Sequence, residues 1–119
     1  MSKEKRQLSK DSDMRYAYEY NSPSFPFKLD EINDVLAHIP GHNDEESWYW
    51  VVQLKNGDYY LVSAWCDYTG WDCQSGAECI KAASAEDACN KAEDHASRAI
   101  KEQLFNQVLG KQPYGVEDR

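Results

Sequence analysis

Residues 47–73 read SWYWVVQLKNGDYYLVSAWCDYTGWDC and hold all four tryptophans of the chain. Two apolar runs, 47–54 and 58–65, flank Asn56-Gly57. Asn-Gly between alternating apolar residues signals a β-hairpin, because a type I′ turn needs positive φ at both central residues. A two-residue turn sets Lys55 opposite Asp58. Pairing then runs Leu54 with Tyr59, Val52 with Leu61, Trp50 with Ser63 and Trp48 with Trp65. Side chains alternate across a strand. One face therefore carries Trp48, Trp50, Val52, Leu54, Tyr59, Leu61 and Trp65, and is predicted to be core. The other carries Tyr49, Val51, Gln53, Lys55, Asp58, Tyr60, Val62 and Ala64. A slip of one residue would exchange the faces of one strand relative to the other.

Upstream of the hairpin, Ile32, Val35, Leu36 and Ile39 fall at i, i+3, i+4 and i+7, which predicts a helix over 29–39 with Asp30 as its cap. Pro40-Gly41 ends it. Tyr16, Tyr18 and Tyr20 alternate at period two, which predicts an edge strand or extended segment over 14–20. Pro23 and Pro26 hold the next stretch extended, with Phe25 and Phe27 plugging an edge of the core. Downstream, 77–82 reads as a third strand. Ser84 caps a long helix over 85–109, whose stripe starts with small residues such as Ala88, Cys89 and Ala92 and ends with Ile100, Leu104 and Val108. Gly110 suits its end.

The expected fold is α+β: a two-layer domain over 14–110, order α-β-β-β-α. Its three-stranded antiparallel sheet, with a possible N-terminal edge strand, has two helices on the tryptophan face. Residues 1–13 and 111–119 read as a disordered and a loose tail.

The chain has 119 residues, is 41% hydrophobic and carries a net charge of −8. That composition suits a globular domain rather than a disordered one. No apolar run approaches the ~18 residues needed to span a bilayer, and the N-terminus has no apolar signal segment. A cytoplasmic protein with free thiols is the expectation. The acids are clustered: 30–79 holds ten acids and one base, Lys55. Such a field disfavours phosphate backbones and favours basic partners.

The order of elements resembles the double-stranded-RNA-binding domains in topology. That family grips phosphate with a basic start to its second helix, where this chain has Glu86 and Asp87, so RNA binding is rejected. The string Cys66-Asp67-Tyr68-Thr69-Gly70-Trp71-Asp72-Cys73-Gln74 resembles a segment of small uncharacterised phage and bacterial proteins. The likeness extends from about Ile32 to Gln74. It implies a phage-encoded protein and carries over no activity and no functional residue.

Cys66 and Cys73 are the candidates for a zinc site, with Cys79, Cys89, His38, His42 or His95 completing it. Their six-residue gap departs from the spacing of zinc knuckles, and no second close pair exists. Cys66 or Cys73 with His42 or His95 forms no recognisable nucleophile–base motif. There is no phosphate-binding glycine loop. The expectation is a non-enzyme without cofactor: an acidic interaction module. It would bind and inhibit a basic or nucleic-acid-handling host protein. An immunity-type protein against a basic toxin and a zinc- or thiol-dependent protein on Cys66 and Cys73 are the alternatives. The predicted interaction residues are Asp44, Glu45, Glu46, Tyr49, Tyr60, Asp67, Tyr68, Trp71 and Asp72. Direct contact with nucleic acid or membrane is not expected, and a homodimer through the tyrosine face is a further option.

Overall fold

A computed structural model describes residues 8, 12–43 and 46–110. The predicted tails, apart from residues 8, 12 and 13, and the predicted interaction residues Asp44 and Glu45 lie outside the described residues. Along the chain come α1 (Asp13–Asn21), β1 (Ile32–Ile39), β2 (Trp48–Leu54), β3 (Tyr59–Cys66), β4 (Ser75–Ala82), α2 (Ala85–His95) and α3 (Arg98–Val108). Single 3-10 turns at Ser22–Ser24 and Leu29–Glu31 bridge α1 to β1. The strands form one antiparallel sheet in the order β1-β2-β3-β4. The α+β class holds. The sheet has four strands rather than three, and helices cover both faces rather than one.

The hairpin forms in a register one residue away from the expected one. Gly57 N donates to Leu54 O (2.9 Å) and Leu54 N donates to Asp58 O (2.8 Å), so the loop has three residues. Gly57 takes φ +96° there, as a glycine bulge requires. Asn56 Oδ1 accepts from Asp58 N (2.9 Å) and braces the turn. Trp48 now lies opposite Ala64, Trp50 opposite Val62 and Val52 opposite Tyr60. The indoles thereby gain aliphatic cross-strand neighbours, Ala64 and Val62, instead of Trp65 and Ser63. Both faces of this hairpin are buried over most of its length, so hydrophobic alternation alone does not select between the registers.

β1 replaces the predicted helix, and its irregularity explains the misreading. Ile32 pairs with Leu54, Asp34 with Gln53, Val35 with Val52, Ala37 with Val51 and His38 with Trp50. Asn33 and Leu36 are extra residues, each a bulge. Ile32, Val35 and His38 consequently share a face at spacing three, which imitates a helical period. His38 stacks on Trp50, with ring centroids 5.1 Å apart and planes 16° apart. Its Nδ1 donates to Tyr49 O (3.1 Å), since a carbonyl oxygen only accepts.

The predicted edge strand over 14–20 is α1. Ser12 caps it, its Oγ accepting from Met14 N (3.2 Å). Met14 and Ala17 are buried and Tyr18 is half-buried, at i, i+3 and i+4, while Tyr16 and Tyr20 point to solvent. α1 and the segment behind it cover the tryptophan face. Phe25 meets Tyr18 (5.1 Å) and Phe27 (5.7 Å), and Phe27 meets Tyr60 (5.1 Å), so a run of rings seals that edge. Phe25 and Phe27 are buried as expected.

The long helix predicted after Ser84 is two helices. Ala96 leaves helical geometry at φ −135°, ψ −81°, and Ser97 caps the second helix through Ile100 N (3.2 Å). The break lets α3 lie against β1, where Gln107 Oε1 accepts from His38 N (2.7 Å). The two helices cover Tyr49, Val51 and Leu61, the face opposite to the tryptophans. Small Ala88, Cys89 and Ala92, all fully buried, let α2 come close to that face. The tyrosine surface expected on the hairpin is therefore absent: Tyr49 is buried under α2 and α3, and Tyr60 is buried on the other face. With it goes the dimer surface drawn through those phenols.

Candidate functional site

The two connections at one end of the sheet, between β1 and β2 and between β3 and β4, are both closed by backbone hydrogen bonds. In the first, His42 N donates to Glu46 O (2.8 Å) and Glu46 N to His42 O (3.0 Å). Gly41 sits under this closure. A Cβ there would lie 2.4 Å from Glu46 O and 2.7 Å from the Trp48 indole, so only glycine lets the chain pass.

The second connection, residues 67–74, is closed by Asp67 N donating to Gln74 O (3.1 Å). Asp67 Oδ1 accepts from Thr69 N (2.9 Å) and from the Thr69 hydroxyl. Gly70 turns the loop with φ +104°, its N donating to Asp67 O (3.1 Å). Trp71 folds back to half-burial, its ring 4.9 Å from Trp48 and its Nε1 donating to Asp13 Oδ1 (3.4 Å). Ser75 Oγ donates to Trp71 O (2.9 Å) and accepts from Asn21 Nδ2 (2.9 Å). The loop is thus fastened to both ends of α1.

Between the two connections lies an open cleft of about 290 Å³, lined by His42, Glu46, Ser47, Trp65, Cys66, Asp67 and Gln74. Trp65 is 44% exposed and occupies the space above Gly76, its cross-strand partner. A Cβ at Gly76 would come within 2.5 Å of the Trp65 Nε1. The missing side chain of Gly76 is what seats the indole beside the cleft. Among the described residues, no lysine or arginine lines the cleft. Outside it, Tyr68 is 78% exposed at the loop tip. Asp72 lies near Tyr20: Glu19 first, then burial, then Asp72 push the Tyr20 phenol above its ordinary pKa.

Of the predicted interaction residues, Glu46 and Asp67 line the cleft, Tyr68 and Asp72 are exposed on the adjoining loop, and Trp71 is half-buried against Trp48. Tyr49 and Tyr60 are buried and take no part. Sequence reasoning missed Ser47, Trp65 and Gln74, and singled out His42 only as a candidate zinc ligand or base. For Trp65 the signal was present in Gly76, but only the correct register puts the two opposite each other. No protein-family model, curated protein or solved structure matches the chain.

The thiols of Cys66, Cys79 and Cys89 are poor nucleophiles in this setting. Burial, then Asp13 and Asp67, push the Cys66 thiol up. Burial, then Glu78, push Cys79 up to about 12, and burial, then Glu86, push Cys89 up to about 12. A thiol held protonated is neither a good nucleophile nor a ready metal ligand. Cys73 is exposed while Cys66 is buried. Among the described residues, no three His, Cys, Asp or Glu side chains converge as a metal-binding group. None of the described helices is long and apolar enough to cross a membrane. What the cleft offers chemically is acceptor oxygens and an aromatic surface, with no lysine or arginine among the described residues that line it.

Proposed function

We propose that the chain is a small acidic protein-interaction module that binds a basic protein through the loop end of its sheet. The observation that carries this reading is the company kept by its carboxylates. Glu46, Asp67 and Asp72 have no ion-pair partner among the described residues, and exposed Trp65 and Tyr68 stand beside them. Three acids elsewhere do have such partners: Asp58 with Lys81 (3.6 Å), Asp87 with Lys91 (3.7 Å) and Glu93 with Lys101 (2.8 Å). Aromatic residues surrounded by unneutralised acids suit a polar interface with a cationic partner. Hydrogen bonds join His42 to Glu46 and fasten the 67–74 connection, which lowers the ordering that docking on these residues costs.

A partner whose basic surface handles nucleic acid would be inhibited by occupation of that surface, whether it is a host protein or a toxin. The thiol-based alternative has less support, because Cys66 is buried, protonated and turned into the tryptophan core. The test is binding of a labelled oligo-arginine peptide by fluorescence anisotropy at low and high salt. Glu46→Lys, Asp67→Lys and Asp72→Lys together are expected to abolish binding, and added salt to weaken it. Binding that ignores both would end this reading.

A further inference from the structure

We propose that the cleft between the two connections is a subsite for a single guanidinium group, the side chain of an arginine on the partner. This rests on the reading above and names the chemistry of its central contact. At about 290 Å³ the cleft lies at the small end for ligand pockets, which run from roughly 300 Å³ upward. It is sized for a side chain rather than a cofactor.

Its chemistry selects a cation. Glu46 comes from one connection and Asp67 from the other, so each loop contributes an acidic residue to the lining of the cleft. The Thr69 amide and hydroxyl hold one oxygen of Asp67, which orients the carboxylate and leaves its second oxygen as an acceptor. Trp65 adds an indole, the best aromatic surface for a cation. Its position is set by Gly76 rather than by a partner.

Acceptors from two loops beside an indole match a guanidinium better than an ammonium. Guanidinium presents five donors in a flat fork and stacks on aromatic rings, whereas ammonium is a compact, strongly hydrated point charge. An anion would meet Glu46 and Asp67 and, among the described residues, no lysine or arginine.

The full chain, labelled with 15N, tests this by NMR of its tryptophan indoles, with Trp65→Phe assigning the Trp65 signal. The probes are the N-acetyl methylamides of arginine, lysine and citrulline; citrulline keeps the shape and removes the charge. Arginine amide is expected to shift the Trp65 indole while Trp48 and Trp50 stay put. Lysine amide should bind several-fold more weakly, and citrulline amide not at all. Glu46→Gln with Asp67→Asn should weaken arginine amide at least tenfold. Glu46→Gln alone, at an exposed position, should weaken it with the fold untouched.

No shift at Trp65, an equal response to citrulline or lysine, or indifference to Glu46→Gln would overturn the subsite. The two proposals fail separately. Loss of oligo-arginine binding in Asp72→Lys, with a silent Trp65, leaves the acidic surface and removes the subsite. A responsive Trp65, with oligo-arginine binding blind to salt and charge reversal, does the reverse.

Discussion

The two ends of the sheet are built from similar residues and treat them differently. At the Asn56-Gly57 end, Asp58 is paired with Lys81 and the turn is braced by Asn56. At the other end, Glu46, Asp67 and Asp72 have no ion pair among the described residues, and backbone hydrogen bonds join His42 to Glu46 and Asp67 to Gln74. The glycines differ in the same way. Gly57 is needed for its φ of +96° and has open space around it, whereas Gly41 is needed because Glu46 and Trp48 leave no room for a Cβ. One end pairs the acid of its turn and serves the fold. The other keeps its fold by packing and leaves its charge for a partner. An exposed ion pair stabilises by only ~0–1 kcal/mol, so leaving these carboxylates unpaired costs the fold little.

The sharpest way to break this contrast is Gly41→Ala. Backbone and indole must both move, so urea denaturation should show a loss of about 2–3 kcal/mol. Next, Glu46→Gln, Asp67→Asn and Asp72→Asn together should weaken oligo-arginine binding by about tenfold or more, ~1.4 kcal/mol. The unfolding midpoint should change little, by the equivalent of about 0.5 kcal/mol or less. Gly57→Ala should cost about 1 kcal/mol, from backbone strain alone. If it costs more than Gly41→Ala, the distinction between conformation and crowding fails. Smallest is Asp58→Asn, with a loss of about 0.5 kcal/mol or less and no change in oligo-arginine binding.

The thiols sharpen the same comparison through pH. Cys79 and Cys89 are pushed up to about 12 in the folded chain, while an unfolded thiol titrates near 8.5. The unfolded chain therefore loses its thiol protons first. Their contribution to stability is fully present below about pH 8.5 and is lost as pH rises toward 12. Cys79→Ala with Cys89→Ala should flatten that alkaline decline in denaturation curves. In the native chain, iodoacetamide should label exposed Cys73 well before buried Cys66 and Cys89, as read by peptide mass spectrometry.

Local chemistry carried much of the architecture. Asn56-Gly57 marked a hairpin, Ser84 marked a helix start, Gly70 marked a turn, and 77–82 read as a strand, which proves to be most of β4. The errors share one physical origin. Two bulges in β1 spaced Ile32, Val35 and His38 like a helix. Three tyrosines in α1 alternated like a strand, although the packing spacing was that of Met14, Ala17 and Tyr18. No glycine or proline marked the break at Ala96 and Ser97, whose only local sign was a serine able to cap. In the site, the acidic residues around Cys66 to Cys73 were legible as a distinctive loop, but Trp65 was assigned to the core.

Sequence by itself determined that this chain alternates tightly turned strands with capped helices, and that its middle is acidic and aromatic. Turns, caps and composition are properties of neighbouring residues, so they survive being read one window at a time. Tertiary structure alone decided the hairpin register, and with it which rings are buried and which stand beside Glu46 and Asp67. Both faces of the hairpin are largely apolar, so a one-residue shift leaves the local pattern acceptable. Only the fit of Trp48 and Trp50 against Ala64 and Val62, and of Trp65 over Gly76, separates the alternatives.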